Sequence, residues 1–115
     1  MTTSAENPAR YMVLVQETMK RLFPRVQQRY PWIVGRYFIG AFSGSPDDMW
    51  VYYYPDTQQR RSESVTPAVE ADIRAMTCDE LRAAGYPATA LTSLKIHYPT
   101  QDEIDAAGGE FKFFR

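Results

Sequence analysis

Few side chains in this sequence are able to do acid–base, nucleophilic or metal chemistry. There is one histidine, His97, one cysteine, Cys78, and three adjacent carboxylate pairs, Asp47-Asp48, Asp79-Glu80 and Asp102-Glu103. Structural zinc sites take four Cys or His ligands and catalytic ones usually three protein ligands, so this inventory argues against zinc. A Cys78–His97 nucleophile pair is formally available. Cys78, however, falls in Thr77-Cys78-Asp79-Glu80, a capping-box pattern that already accounts for it, although a helix N-terminus there would lower its pKa. The carboxylate pairs at 79–80 and 102–103 sit at expected helix starts, where negative charge is stabilising, and the pair at 47–48 sits in a turn. None needs a general-acid role. His97 and Lys95, two apart on the outward face of a strand, could bind an anion or move a proton. Gly35 and Gly40 lie inside a strand and Gly108-Gly109 precedes one, so no glycine-rich phosphate loop is present. The expectation is no catalytic residue, no metal ligand and no cofactor.

What remains is aromatic chemistry. Pro31 to Phe42 and Asp48 to Tyr54 flank Ser43-Gly44-Ser45-Pro46-Asp47 and read as a long antiparallel hairpin, apolar or aromatic on both faces. A five-residue loop, Ser43 to Asp47, puts Tyr37, Ile39 and Ala41 on one face with Met49, Val51 and Tyr53. The other face then holds Trp32, Val34, Arg36, Phe38 and Gly40 with Trp50, Tyr52 and Tyr54, and Gly40 gives the Trp50 ring room. One more loop residue would mix the two sets, because a single slip exchanges a strand's faces. The five-residue loop separates an aliphatic face from an aromatic one. It makes Trp32, Arg36, Phe38, Trp50, Tyr52 and Tyr54 the candidate binding residues, since Trp, Tyr and Arg are enriched at interface hot spots. The run Gly35-Arg36-Tyr37-Phe38-Ile39-Gly40-Ala41-Phe42 is similar in residue type to the aromatic sheet motif of RNA-recognition domains, but the order of elements does not match that fold.

The elements that must position these residues follow from capping and periodicity. Asn7-Pro8 supplies a cap and a first-turn proline, and Tyr11, Val15, Met19, Leu22 and Val26 form one apolar stripe, with Glu17 and Arg21 able to pair on the opposite side. Pro24 should stop or kink this helix; were the helix to continue, Arg21, Arg25 and Arg29 would form a basic stripe. Residues 57–64 are polar throughout and read as an edge strand or an exposed loop. Thr66-Pro67 opens a second helix that buries Val69, Ile73 and Met76, Thr77–Glu80 marks a bend or fresh turn, and Gly85 ends it. Residues 90–98 alternate as a half-buried strand. Thr100–Glu103 is a capping box for a short helix closed by Gly108-Gly109, and Glu110 to Arg115 reads as a last strand in the sheet. The order predicts a single α+β domain over residues 1–115, a sandwich with a mainly antiparallel sheet and helices packed on it.

Composition sets the remaining bounds. With 115 residues, 44% hydrophobic and 14% aromatic, the chain is long enough for one core. A single cysteine excludes an intramolecular disulfide, and neither a signal-peptide pattern nor an apolar run of bilayer length is present, so a cytosolic protein is expected. The excess of Arg over Lys suggests a bacterial source. The net charge is −1, with +3 over residues 1–61 and −4 over 62–115, which argues against generic attraction to nucleic acid or to an anionic membrane. The expected function is a non-catalytic binding module acting by protein–protein interaction, as an inhibitor, immunity-type protein or adaptor, or as a homodimer through the aromatic sheet face. The alternatives are a small-molecule binder or enzyme with a pocket between the sheet and the second helix holding Arg36, Tyr52 and His97, and single-stranded nucleic-acid binding by stacking.

Overall fold

A computed structural model describes residues 9–40 and 45–114; the Asn7-Pro8 cap and part of the hairpin loop lie outside them. The apolar stripe at three- and four-residue spacing does form a helix, α1 (Arg10–Arg29), and buries Val15, Met19, Leu22 and Val26 together with Thr18. α1 does not stop at Pro24 but runs through it to Arg29. Pro24 and Lys20, whose carbonyl loses its amide partner, are both exposed, so water can satisfy that oxygen while Leu22 and Val26 hold the helix against the core on either side. Glu17 pairs with Lys20 at 3.1 Å, and the Arg21 guanidinium donates to the Glu17 main-chain carbonyl instead.

Strands β1 (Ile33–Gly40) and β2 (Met49–Pro55) form the antiparallel hairpin. β3 (Lys95–His97) then joins β2 in parallel, giving a three-stranded mixed sheet in the order β1-β2-β3. The parallel step requires a crossover, which is made chiefly by α3 (Pro67–Ala83), opened as expected by the Thr66 side chain, which accepts from the Val69 amide. Thr77 marks no bend. Its hydroxyl donates back to the Ile73 carbonyl at 2.8 Å and α3 continues through it. Gly85 follows the helix with φ +104, the left-handed conformation that terminates it.

Three further segments differ from their sequence reading. Residues 58–64 are neither edge strand nor loop but a helix, α2 (Gln58–Ser64), capped by Thr57 and supported by Gln59–Glu63 and Asp56–Arg60 contacts at four-residue spacing. The alternation from 90 to 98 yields strand only at Lys95–His97, because α4 (Ala88–Leu91) and a turn occupy its first half. The capping box of Thr100 and Glu103 does open α5 (Gln101–Ala106). The aromatic end is a short helix, α6 (Glu110–Phe113), instead of a strand: Gly108 and Gly109, with φ of +99 and +110, turn the chain onto the face of the sheet instead of along its edge.

Both long helices pack on one face of the sheet. The core there joins the α1 stripe to Met49, Val51 and Tyr53 of β2 and to Ile73 and Leu81 of α3. Burial of such side chains contributes about 1.5–3 kcal/mol each. Inside it the Tyr53 hydroxyl meets Thr77 Oγ1 at 2.8 Å. The basic stripe of α1 is spent on the α1–α3 seam, where Arg25 bonds Glu80 and Arg29 bonds Asp72 at 2.8 Å, with the Tyr30 hydroxyl also donating to Asp72. The architecture is therefore α+β, with two helices covering one side of a small sheet. Among the described residues no helix is long and apolar enough to cross a membrane.

Candidate functional site

The register of the hairpin decides which side chains share a surface. Arg36 pairs with Tyr53, Tyr37 with Tyr52, Phe38 with Val51, Ile39 with Trp50 and Gly40 with Met49. This is one residue away from the pairing expected from a five-residue loop, and the slip flips β1 relative to β2. Arg36 and Phe38 consequently face the helices, where the Arg36 guanidinium lies 5.5 Å from the Phe23 ring centre and Phe38 packs against the core. Trp32 is not on the sheet face either. It sits in the turn before β1, against Tyr30 and the core. Of the six expected binding residues, Trp50, Tyr52 and Tyr54 remain together. The glycine that makes room for a ring is Gly35, under Tyr54, and not Gly40 under Trp50.

The face opposite the helices gathers a different set. Tyr37 and Ile39 come from β1 and Trp50, Tyr52 and Tyr54 from β2. The parallel pairing of Trp50 with Lys95 and of Tyr52 with His97 adds the two outward residues of β3. The His97 ring is near-parallel to Trp50, with centres 5.3 Å apart, and lies 5.8 Å from Tyr52. Lys95 Nζ lies 5.0 Å from the Trp50 ring centre and makes no ion pair among the described residues.

One end of this face is closed by the chain itself. Phe114 stacks on Tyr37 at 4.5 Å and touches Tyr52 at 4.7 Å, while Tyr54 donates its hydroxyl to the Glu110 carboxylate at 2.6 Å. Burial under this segment, reinforced by the neighbouring Glu110 charge, pushes the Tyr54 phenol well above its ordinary pKa; burial raises Tyr52 as well. The other end is open. Beyond Trp50 and His97 a groove of about 680 Å³ opens, walled by Tyr52, Phe113, Arg61, Val65 and Glu70, with Ile96 and His97 lining it from β3.

The nucleophile reading fails on geometry. Cys78 lies within α3 and not at a helix start, it packs against the core on the helix side of the sheet, and burial pushes its thiol up instead of down. His97 projects from the opposite face. Among the described residues no three His, Cys, Asp or Glu side chains converge as metal ligands. The expected ligand pocket is realised in part, since the groove contains Tyr52 and His97, but Arg36 is on the far side of the sheet, where the core side chains of sheet and helices pack together.

Tyr37, Lys95, His97 and Phe114 complete the surface, and only the alternation of Lys95 and His97 hinted at it beforehand. The other two needed the register and the final turn. A scan against protein-family models finds no match, and neither a search of the curated proteins nor one of the solved structures returns a match.

Proposed function

We propose that this protein is a non-catalytic binding module that engages another protein through the open face of its sheet. The observation that carries the reading is the half-covered aromatic surface. Trp50 and Tyr52 are only partly buried, Tyr37 is 37% exposed, and a cation and an imidazole stand against the Trp50 ring, on the side of the sheet that the two long helices leave uncovered. Aromatic side chains with a polar end supply large contact area at small entropic cost, and clusters of Trp and Tyr beside a cation are the composition of binding hot spots. An inhibitor, immunity-type or adaptor protein of the bacterial cytosol is the class we favour, where a lone thiol such as Cys78 stays reduced.

The competing reading, a small-molecule site, draws support from the groove that holds Tyr52 and His97. The two separate by substitution. A protein interface centred on the face loses its partner when Trp50 or Tyr52 becomes alanine and tolerates Arg36→Gln, which lies on the other side of the sheet. A ligand site confined to the groove is sensitive to Arg61→Ala and His97→Ala and insensitive to Tyr37→Ala. Co-purification from the source cell with each variant as bait reads both patterns. Equal capture by wild type, Trp50→Ala and Tyr52→Ala removes the first reading.

A further inference from the structure

β3 is three residues long and lies at an edge of the sheet. A strand in that position presents unpaired main-chain N–H and C=O groups along its outer side. Among the described residues nothing but β2 pairs with the main chain of Lys95–His97. The carbonyls just outside the strand are occupied, Leu94 by the Arg74 guanidinium at 2.8 Å and Tyr98 by Arg61 at 3.4 Å. The open stretch is thus framed at both ends, and its Ile96 and His97 line the 680 Å³ groove.

We infer that this edge accepts an extended acidic peptide segment of the partner as a fourth strand, a proposal that rests on the binding-module reading above. An extended chain is the ligand whose own N–H and C=O groups match a strand edge, and alternate side chains of an added strand point to opposite sides of the sheet. One set would lie over Trp50 and His97, the other toward Val65 and Tyr98, which line the same groove. Three residues of strand span about 10 Å, so three to five peptide residues are held. Charge selects among peptides. Among the described residues Lys95 makes no ion pair and Arg61 meets Glu103 only at 3.6 Å, against the single acidic wall residue Glu70, so acidic positions are favoured over basic ones.

The test uses the full chain, ¹⁵N-labelled, titrated with acetylated and amidated heptapeptide libraries. In one library Val, Ile, Phe or Tyr alternates with Asp or Glu; in a second, Lys or Arg replaces the acids. Two further acidic libraries carry N-methyl groups on one or the other alternating set of main-chain nitrogens. Strand addition predicts shifts of the Lys95–His97 amides and the Trp50 indole N–H with the acidic library. It also predicts at least tenfold weaker binding of the basic library, and at least tenfold loss with one N-methyl set but not the other, because a strand pairs through one side only. Equal binding of both N-methylated libraries, or shifts confined to residues away from β3, overturns strand addition. So does the absence of any shift with the acidic library. The binding-module reading fails by a different result, partner capture that is indifferent to Trp50→Ala and Tyr52→Ala.

Discussion

Gly35→Ala probes the register on which the binding face depends. A Cβ built at Gly35 falls 2.4 Å from Cδ2 and 2.9 Å from Cε2 of Tyr54, which is about 1 Å or more inside ordinary carbon–carbon contact. The ring has little freedom to retreat, because its hydroxyl is bonded to Glu110 at 2.6 Å and Phe114 lies over it at 6.2 Å. Overpacking of this kind costs about 1–3 kcal/mol, and the entropy that alanine removes from the unfolded chain returns roughly 0.4–1 kcal/mol. The net loss is about 1–2 kcal/mol, or a Tm lower by roughly 4–10 °C for a domain of this size. Urea denaturation followed by tryptophan fluorescence measures it, with Tyr54→Ala as the second background. Removing the ring should relieve the clash, so Gly35→Ala should cost at least about 1 kcal/mol less there. A substitution equally costly in both backgrounds would refute the pairing of Gly35 with Tyr54 and with it the grouping of Tyr37, Trp50 and Tyr52 on one surface.

The buried hydroxyl pair should respond asymmetrically: since Thr77 gives its proton to Ile73, Tyr53 must donate to Thr77. Tyr53→Phe then costs about 0.5–1.5 kcal/mol, whereas Thr77→Val leaves the phenol only the weak Met19 Sδ acceptor at 3.8 Å and costs about 1–3 kcal/mol, and the double variant should be less harmed than the sum, by equilibrium unfolding. Thr18 Oγ1 is buried without a partner on the core side of α1, so Thr18→Val should raise stability by about 1 kcal/mol in the same assay. Hydrogen bonds from Tyr30 and Arg29 hold the Asp72 carboxyl below its ordinary pKa. A depressed folded-state value contributes stability above about pH 4 that is lost as pH falls through it; Asp72→Asn should therefore flatten the drop in urea midpoint between pH 7 and pH 3.

Much of the helical framework was legible from local chemistry alone. Thr66-Pro67 and the Thr100–Glu103 box act within one turn of chain, so their residue types determine helix starts, and the α1 stripe needs no knowledge of its partner. What escaped depends on distant contacts. The hairpin register differs by one residue between two arrangements that both look well sorted in sequence, and the choice falls to Tyr54 over Gly35 and Arg36 over Phe23. α2 has no apolar periodicity to announce it and is held by its cap and polar pairs. The run Phe111-Lys112-Phe113-Phe114 suits strand and helix alike; the left-handed Gly108 and Gly109 send it across the aromatic face. The parallel pairing that brings His97 to Trp50 could not be read from either segment by itself.

Affinity capture from the source cell bears most directly on the claim that the open sheet face is the working surface. Wild type, Trp50→Ala, Tyr52→Ala and Arg36→Gln, each verified as folded, would serve as baits, with captured proteins quantified by mass spectrometry. The face lying opposite the helices predicts a protein retained by wild type and Arg36→Gln and lost from Trp50→Ala and Tyr52→Ala. Loss from Arg36→Gln with retention by the two aromatic variants, or identical profiles from all four baits, would contradict it.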